Sequence, residues 1–318
     1  MQITRRAALA ALAALPFAAR AQDRPIKLLV GFPAGGGTDA IARVLAEALQ
    51  ASLGQPVIVE NRPGAGGQLA AQALKAAAPD GTTFFVSHDH TISILPLVLK
   101  NPGFDPARDF TPVAGFATFA NAIALSGGTP ATSLPDYFAW VKKQGGQGNV
   151  GIPAPASVPE FLVKLLGEKN GLNLLSVPYR GSAPMIADML GNQISAGVGS
   201  VPDLITQHQQ KKLRIVAVMG QQRQAVLPDV PTFAELGIAG FEELPYYGVF
   251  APAGTATAVV ERFSNALAGV IAQPGVKARL AELGLSVVAM GPTQLAARER
   301  AYAATWARII KAGGFQPQ

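Results

Sequence analysis

Residues 26–53 read IKLLVGFPAGGGTDAIARVLAEALQASL, and their pattern sets the fold class. Ile26–Val30 is a short apolar run of strand length. A glycine-rich turn follows, then a helical pattern from about Asp39. In it Ile41, Leu45, Ala48, Leu49 and Leu53 share one face while Arg43, Glu47 and Gln50 lie opposite. Gly54 stands where a left-handed residue ends a helix. The same unit repeats outward: a strand over 57–60, a helix over 68–77, a strand over 82–87. This βαβα order predicts a parallel sheet with helices on both faces.

The alternation resumes beyond a proline-rich stretch at 101–112. Ser133 is placed to cap a helix reaching about Lys142. Strands are expected over 150–152, 174–179, 194–198 and 213–219. Helices fall between them over 159–170, 183–190 (opened by Pro184 in its first turn) and 202–210. The C-terminal part reads as a strand at 246–250, helices at 256–271 and 274–283, a strand at 286–289 and a last helix from about 293 to 312. FPAGGGT at 32–38 and APAGT at 251–255 each lead a strand through a glycine turn into a helix. Two α/β lobes fit this pattern, with the C-terminal segment returning to the first. The expected bounds are 22–117 for lobe 1, 118–225 for lobe 2 and 226–318 for the return. No repeat of 20–50 residues appears, which argues against solenoids and propellers.

Composition narrows the function. The chain has 318 residues, 49% hydrophobic and 14% charged, so a disordered protein is excluded and two cored domains are expected. With no cysteine, disulfides, thiolate metal sites and a cysteine nucleophile are excluded. The three histidines are His88, His90 and His208. Residues 1–21 read as an export signal: Arg5 and Arg6, an apolar run from Ala7 to Ala19, and an Ala-Arg-Ala site that places cleavage near Ala21. The run is too short for the ~20 residues of a membrane span, and Thr4–Leu9 fits a twin-arginine signal about as well as a Sec signal. The predicted location is the periplasm. Removing three arginines from 26 basic residues leaves 23 against 20 acids, so the precursor's +6 becomes +3. No dense basic run remains to engage nucleic acid.

Five loops carry candidate chemistry. Gly35, Gly36, Gly37, Thr38 and Asp39 form a glycine turn at a helix start, suited either to backbone contact with an anion or to a plain tight turn capped by Thr38 or Asp39. The P-loop Gly-Lys-Ser/Thr is missing and the G-x-G-x-x-G spacing fails, so no nucleotide cofactor is expected. Asn61 to Gly67, including Arg62, Ala65 and Gly66, is a second such loop, expected at the same sheet edge. Ser87, His88, Asp89 and His90 end the third strand. In extended chain the two histidines would share a face, yet no third and fourth ligand is visible, and no metal is predicted. A histidine donating to a carboxylate is the better reading. A hydrolase using His88 and Asp89 lacks any G-x-S-x-G elbow. Pro153 to Glu160 holds Ser157, which can cap a helix or donate to a ligand. Val177 to Pro184 holds Tyr179 and Arg180, suited to an anion or to a contact between lobes.

These residues resemble the substrate-binding receptors of tripartite tricarboxylate transporters, the Bordetella uptake gene (Bug, TctC) family. The matching stretches are FPAGGGTD (32–39), ENRPGAGG (60–67), DPARDFTPV (105–113), VPYRGSAP (177–184), LRIVAV (213–218), LPDVPTFAE (227–235) and YGVFAPAGT (247–255). Their order covers essentially the whole mature chain. The resemblance implies a type II periplasmic-binding-protein fold, two α/β lobes closing on a small carboxylate, and delivery to the integral membrane subunits of a tripartite tricarboxylate transporter. It implies no enzyme activity and no cofactor. A monomer is expected, since the lobes must open and close. Carried over by position, Pro33 to Asp39 and Ala65 to Gly67 would meet one end of the ligand. The Ser87–Asp89 loop with His90, and Ser157, would reach it from the two lobes.

Three departures from the family pattern stand out. The Ser157 loop is proline-rich where a Gly/Ser turn is common. Gly199-Ser200 stands where amino-acid-binding members carry an Asp, which argues against an amine ligand. His88-Asp89-His90 is an uncommon form of its loop and is expected to set ligand preference. Phe32, Phe85, Phe116, Phe119, Tyr179, Tyr246 and Tyr247 are either core or cleft; several in the cleft would favour an aromatic acid. A ligand sensor for a signalling partner is the alternative role.

Overall fold

A computed structural model describes residues 24–312 and 314–317; the export signal read at residues 1–21 lies outside them. The strands are β1 (Ile26–Val30), β2 (Val57–Asn61), β3 (Thr83–His88), β4 (Phe110–Thr118), β5 (Asn121–Ser126), β6 (Gln147–Ile152), β7 (Asn173–Pro178), β8 (Ala196–Ser200), β9 (Leu213–Val218), β10 (Tyr246–Pro252) and β11 (Ser286–Met290). They build two sheets, ordered β11-β4-β10-β3-β1-β2 and β7-β6-β8-β5-β9. Each sheet with its helices is one lobe.

The parallel sheet expected from the βαβα order holds for β2-β1-β3 and for β7-β6-β8. It fails where the chain changes lobes. β5 enters the second sheet antiparallel to both β8 and β9, and β10 enters the first antiparallel to both β3 and β4. Each arrives directly from the other lobe, with no crossover helix to bring the chain back to the starting edge. β11 is also antiparallel, on β4.

β4 and β5 are absent from the sequence reading, and each for a physical reason. β4 contains Pro112, which argues against a strand inside a sheet. It is tolerated because Pro112 pairs with Phe250 at a register shift, where the ladder is already interrupted. β5 (NAIALS) is buried at all six positions, so it shows no alternation, and its alanines carry little strand propensity.

Most predicted elements stand within a few residues. The first helix spans Gly37–Leu53 and ends at Gly54 in the left-handed region, φ 71°. Ser133 Oγ accepts the Asp136 N–H at 3.2 Å and caps the helix Leu134–Lys143. One face of the first sheet (Leu28, Val30, Phe84, Val86) packs on the helices Gly37–Leu53 and Thr257–Ala272, with Phe84 on Phe263 at 4.0 Å. The other face (Leu29, Phe85) packs on the helix Gln68–Lys75 and on a π-helical turn at His90–Ile94. Each such fully buried side chain contributes about 1.5–3 kcal/mol. This second core runs on into the other lobe through the last helix, Pro292–Ala312. Its Tyr302 meets Tyr246 at 5.7 Å and its Trp306 meets Phe161, on the second-lobe helix Val158–Asn170, at 5.9 Å. No described helix is long and apolar enough to cross a membrane.

Candidate functional site

A cavity lies between the lobes at the carboxyl ends of the parallel strands, where open α/β sheets bind ligands. From the first lobe it is lined by Phe32, Pro33, Gly36, Gly37, Thr38, His88, Asp89, His90, Phe119 and Tyr247. The second lobe adds Asn121, Pro153, Ala154, Ser157, Val158, Pro159, Ser182, Ala183, Ser200 and Asp203. The first turns of four helices are in this lining: Gly37–Leu53, Val158–Asn170, Ser182–Leu190 and Val201–Gln209. Four partial positive ends therefore face one space. No lysine or arginine is among its lining residues.

Of the residues predicted from sequence, Pro33, Gly36, Gly37, Thr38, His88, Asp89 and Ser157 meet at this cavity. Ala65, Gly66 and Arg180 line an adjoining cavity that shares Phe32, Pro33 and Pro153 with the first. Gly35, Asp39, Gly67 and Ser87 line neither. Asp39 instead braces the loop: its carboxylate accepts Gly35 N–H at 3.0 Å, Arg43 Nε at 3.0 Å and Asn61 Nδ2 at 2.9 Å. Burial would raise the Asp39 carboxyl, but these donors and the Arg43 charge outweigh it and hold it below the usual range. The helix cap at this turn is Gly36, with no side-chain cap from Thr38 or Asp39. Thr38 Oγ1 shares a 3.1 Å hydrogen bond with Tyr247 OH. The Ser87 hydroxyl is buried without a hydrogen-bond partner among the described residues.

The two histidines do not share a strand face. β3 ends at His88 and the chain turns at once into the π-helical segment, with the rings 6.5 Å apart. His88 forms the cavity wall: Phe32 stacks on it at 5.0 Å, and Tyr247 and Phe119 meet it edge-on at 5.3 and 5.8 Å. Its Nδ1 lies 3.2 Å from Asp89 Oδ1, and Tyr302 OH donates to Asp89 Oδ2 at 3.0 Å. His90 is 6% exposed, with both ring nitrogens unpartnered among the described residues. Gly66, at φ 65°, lies so close that a Cβ there would sit 2.4 Å from His90 Nε2. Among the seven aromatics left open by the sequence, Phe32, Phe119 and Tyr247 face the cavity, and Tyr179 lines the adjoining one.

Burial, and secondarily the His88 charge, pushes the His90 imidazole down to about 4 from its ordinary 6.5. The unfolded chain therefore binds the extra proton between these values. The neutral-His90 contribution to stability is complete above about pH 6.5 and is lost as pH falls toward 4. We expect His90→Leu to be about 2 kcal/mol more stable relative to the parent at pH 5 than at pH 7.5. Chemical denaturation of both proteins at the two pH values measures this difference, and a pH-independent difference would refute it.

Asp203 escaped the sequence reading. Its Oδ1 accepts Gly37 N–H from the other lobe at 2.7 Å and the Ser182 hydroxyl at 2.6 Å, while Oδ2 accepts the Ser200 hydroxyl at 2.6 Å. Gly199-Ser200 therefore does not leave this side of the cavity without a carboxylate. Helix Val201–Gln209 brings a carboxylate into the cavity one turn later in the chain. The only local signal was Ser200-x-x-Asp203, which reads as an ordinary helix start.

Residues 41–315 match the tripartite tricarboxylate transporter family receptor. The chain belongs to that family. It is 33% identical over 288 residues to the UPF0065 protein in the gbd 5' region of Cupriavidus necator, covering 90% of this chain and 87% of that one. The receptor's fold superposes on the periplasmic binding protein BugD with a TM-score of 0.88 at 32% identity, covering 93% and 99% of the two chains. It superposes on R. palustris Rpa4515 with adipate at 0.88 and 29% identity (93% and 99% covered), and on MatC from Rhodopseudomonas palustris with bound malate at 0.82 and 28% (91% and 99%). The two sheets are thus the two lobes of a type II periplasmic-binding-protein fold. The receptor is a solute-binding protein of a periplasmic family.

Proposed function

We propose that this receptor captures a small carboxylic acid in the periplasm by lobe closure and, acting as a monomer, presents it to the integral membrane subunits of a tripartite tricarboxylate transporter. One observation carries the ligand class: four helix N-termini converge on one cavity that has no lysine or arginine in its lining. Micromolar binding needs about 8 kcal/mol. One exposed helix end contributes about 0.3–1 kcal/mol. Several ends, backbone donors and closure together reach the required sum. The adipate and malate of the two R. palustris proteins support the same class.

Phe32, Phe119 and Tyr247 in the wall favour an acid with an apolar or aromatic body. Asp203 supports a second reading, an amino acid whose ammonium takes the place of the Gly37 N–H on that carboxylate. Catalysis is disfavoured because the lining hydroxyls are committed elsewhere. Ser157 donates to Ala154 O, and Ser182 and Ser200 donate to Asp203.

The experiment is a thermal-shift series on residues 22–318, unfolded and refolded to remove carried-over ligand. Benzoate, adipate, malate, amino acids and the matching amides form the panel. An acid at a hundred times its Kd should add about 2.7 kcal/mol, a shift of several degrees. Stabilisation by an acid but not its amide is the expected result. Stabilisation by amino acids alone would favour the second reading, and no shift with any acid would overturn the first.

A further inference from the structure

We propose that His88 reads the ligand's carboxylate as an imidazolium, so that one proton enters the cavity with each acid bound. The inference rests on the carboxylate reading above and deepens it. It starts from a charge imbalance. The cavity already holds the carboxylates of Asp89 and Asp203 and has no lysine or arginine in its lining. Asp203 has already taken the N–H of Gly37, at the start of the longest of the four helices. A third carboxylate brought into this space needs a positive partner, since a buried charge is stable only when paired.

His88 is built to be that partner. Asp89 is 3% exposed and fixed at both oxygens, by Tyr302 OH at 3.0 Å and by His88 Nδ1 at 3.2 Å. A carboxylate so placed orients the ring and makes Nδ1 the donor, as in other carboxylate–histidine pairs. Nε2 is the ring edge left over for the cavity that His88 lines. The His90 backbone N–H approaches Nδ1 at 3.4 Å, beyond the usual range of 2.7–3.2 Å. The Phe32 face, 5.0 Å away and inclined by 20°, favours a cationic ring over a neutral one.

The other titratable groups near His88 leave it this role. Asp89 is its paired counter-charge, and Asp203, from helix Val201–Gln209, is the other carboxylate of the lining. Tyr247 of β10 and Tyr302 of the last helix are held neutral, their phenols pushed up by burial. His90, in the same segment, is kept neutral by its own burial. Of the two histidines in the lining, His88 alone is placed to carry the proton. No bond in the ligand changes: the proton comes from solvent, sits on the ring and leaves when the acid is released.

The test titrates benzoate, adipate and malate into the refolded receptor by calorimetry at about pH 8, 7 and 6, where the acids stay ionised. Each titration is repeated in two buffers of different ionisation enthalpy. Affinity should rise as pH falls, by up to about tenfold per unit, and the buffer dependence should report net proton uptake approaching one per acid. His88→Gln should weaken binding at least about tenfold at pH 6 and remove both the pH dependence and the proton uptake. Asp89→Asn, which removes the group that orients the ring, should weaken binding and reduce the proton uptake per acid, a change in proton count that a merely structural role would not produce. Acid binding with a flat pH profile and no proton uptake would overturn the His88 inference and leave the receptor reading standing. No binding of any of the three acids at any pH would overturn the carboxylate reading and the inference with it.

Discussion

Gly37→Ala should lower ligand affinity at least about a hundredfold, equivalent to about 2.7 kcal/mol, while leaving both lobes folded. A Cβ at this position would sit 2.8 Å from Asp203 Oδ1, 3.0 Å from the Pro202 carbonyl carbon and 3.1 Å from the Asp203 nitrogen. Two of those atoms are backbone, and all belong to the other lobe. Relieving the clash pushes the second lobe away from the Gly37 turn and draws its donors off the ligand; two charge-assisted hydrogen bonds at about 1.5–3 kcal/mol each account for the loss. Gly37 is the first residue of its helix, so the helix itself is little affected and the thermal midpoint should change by much less than the affinity does. Gly36→Ala is the control, because its Cβ would meet nothing nearer than 3.5 Å. Calorimetric affinity and thermal midpoint on both variants decide the matter, and unchanged binding by Gly37→Ala would show that the ligand does not require this closure.

Trp306→Ala should destabilise the whole molecule by about 3–5 kcal/mol, a fall in midpoint on the order of 10 °C. Trp306 is 2% exposed and lies 5.9 Å from Phe161, 6.1 Å from Phe241 and 6.0 Å from Tyr302. Phe161 belongs to the second lobe, whereas Tyr302 packs on Tyr246 and holds Asp89 in the first. Truncation therefore opens a void at the point where the last helix fastens one lobe to the other, and neither lobe can collapse to fill it alone. Trp306→Phe, which keeps an aromatic ring at the centre of the cluster, should lose less than half as much. Equilibrium denaturation measures both, and a loss under about 1 kcal/mol for the alanine variant would show that this aromatic cluster does not hold the lobes together.

The fold was legible in the sequence wherever an element is specified by its near neighbours. The apolar face of Gly37–Leu53, the αL glycine at 54 and the Ser133 cap each depend on residues within a turn or two, and all three stand. β4 and β5 were not legible because what makes them strands is their burial between partners distant in the chain. The glycine turn at 35–37 reads equally as an anion site or a plain tight turn, and only part of it reaches the cavity. Asp39, which looks like a ligand group, is spent on Arg43 and Asn61. Asp203 looks like a helix-start residue and proves to be the carboxylate that reaches across the cleft to Gly37.

By itself the sequence determined the βα alternation, the helix ends and the glycine loops, because propensity, periodicity and capping act over a few residues. The tertiary structure alone decided the antiparallel entry of β5 and β10, the pairing of Gly37 with Asp203 and the placing of His88 among Phe32, Phe119 and Tyr247. Those contacts join segments far apart in the chain, and their energies come from burial and from hydrogen bonds that exist only once the two lobes are packed together.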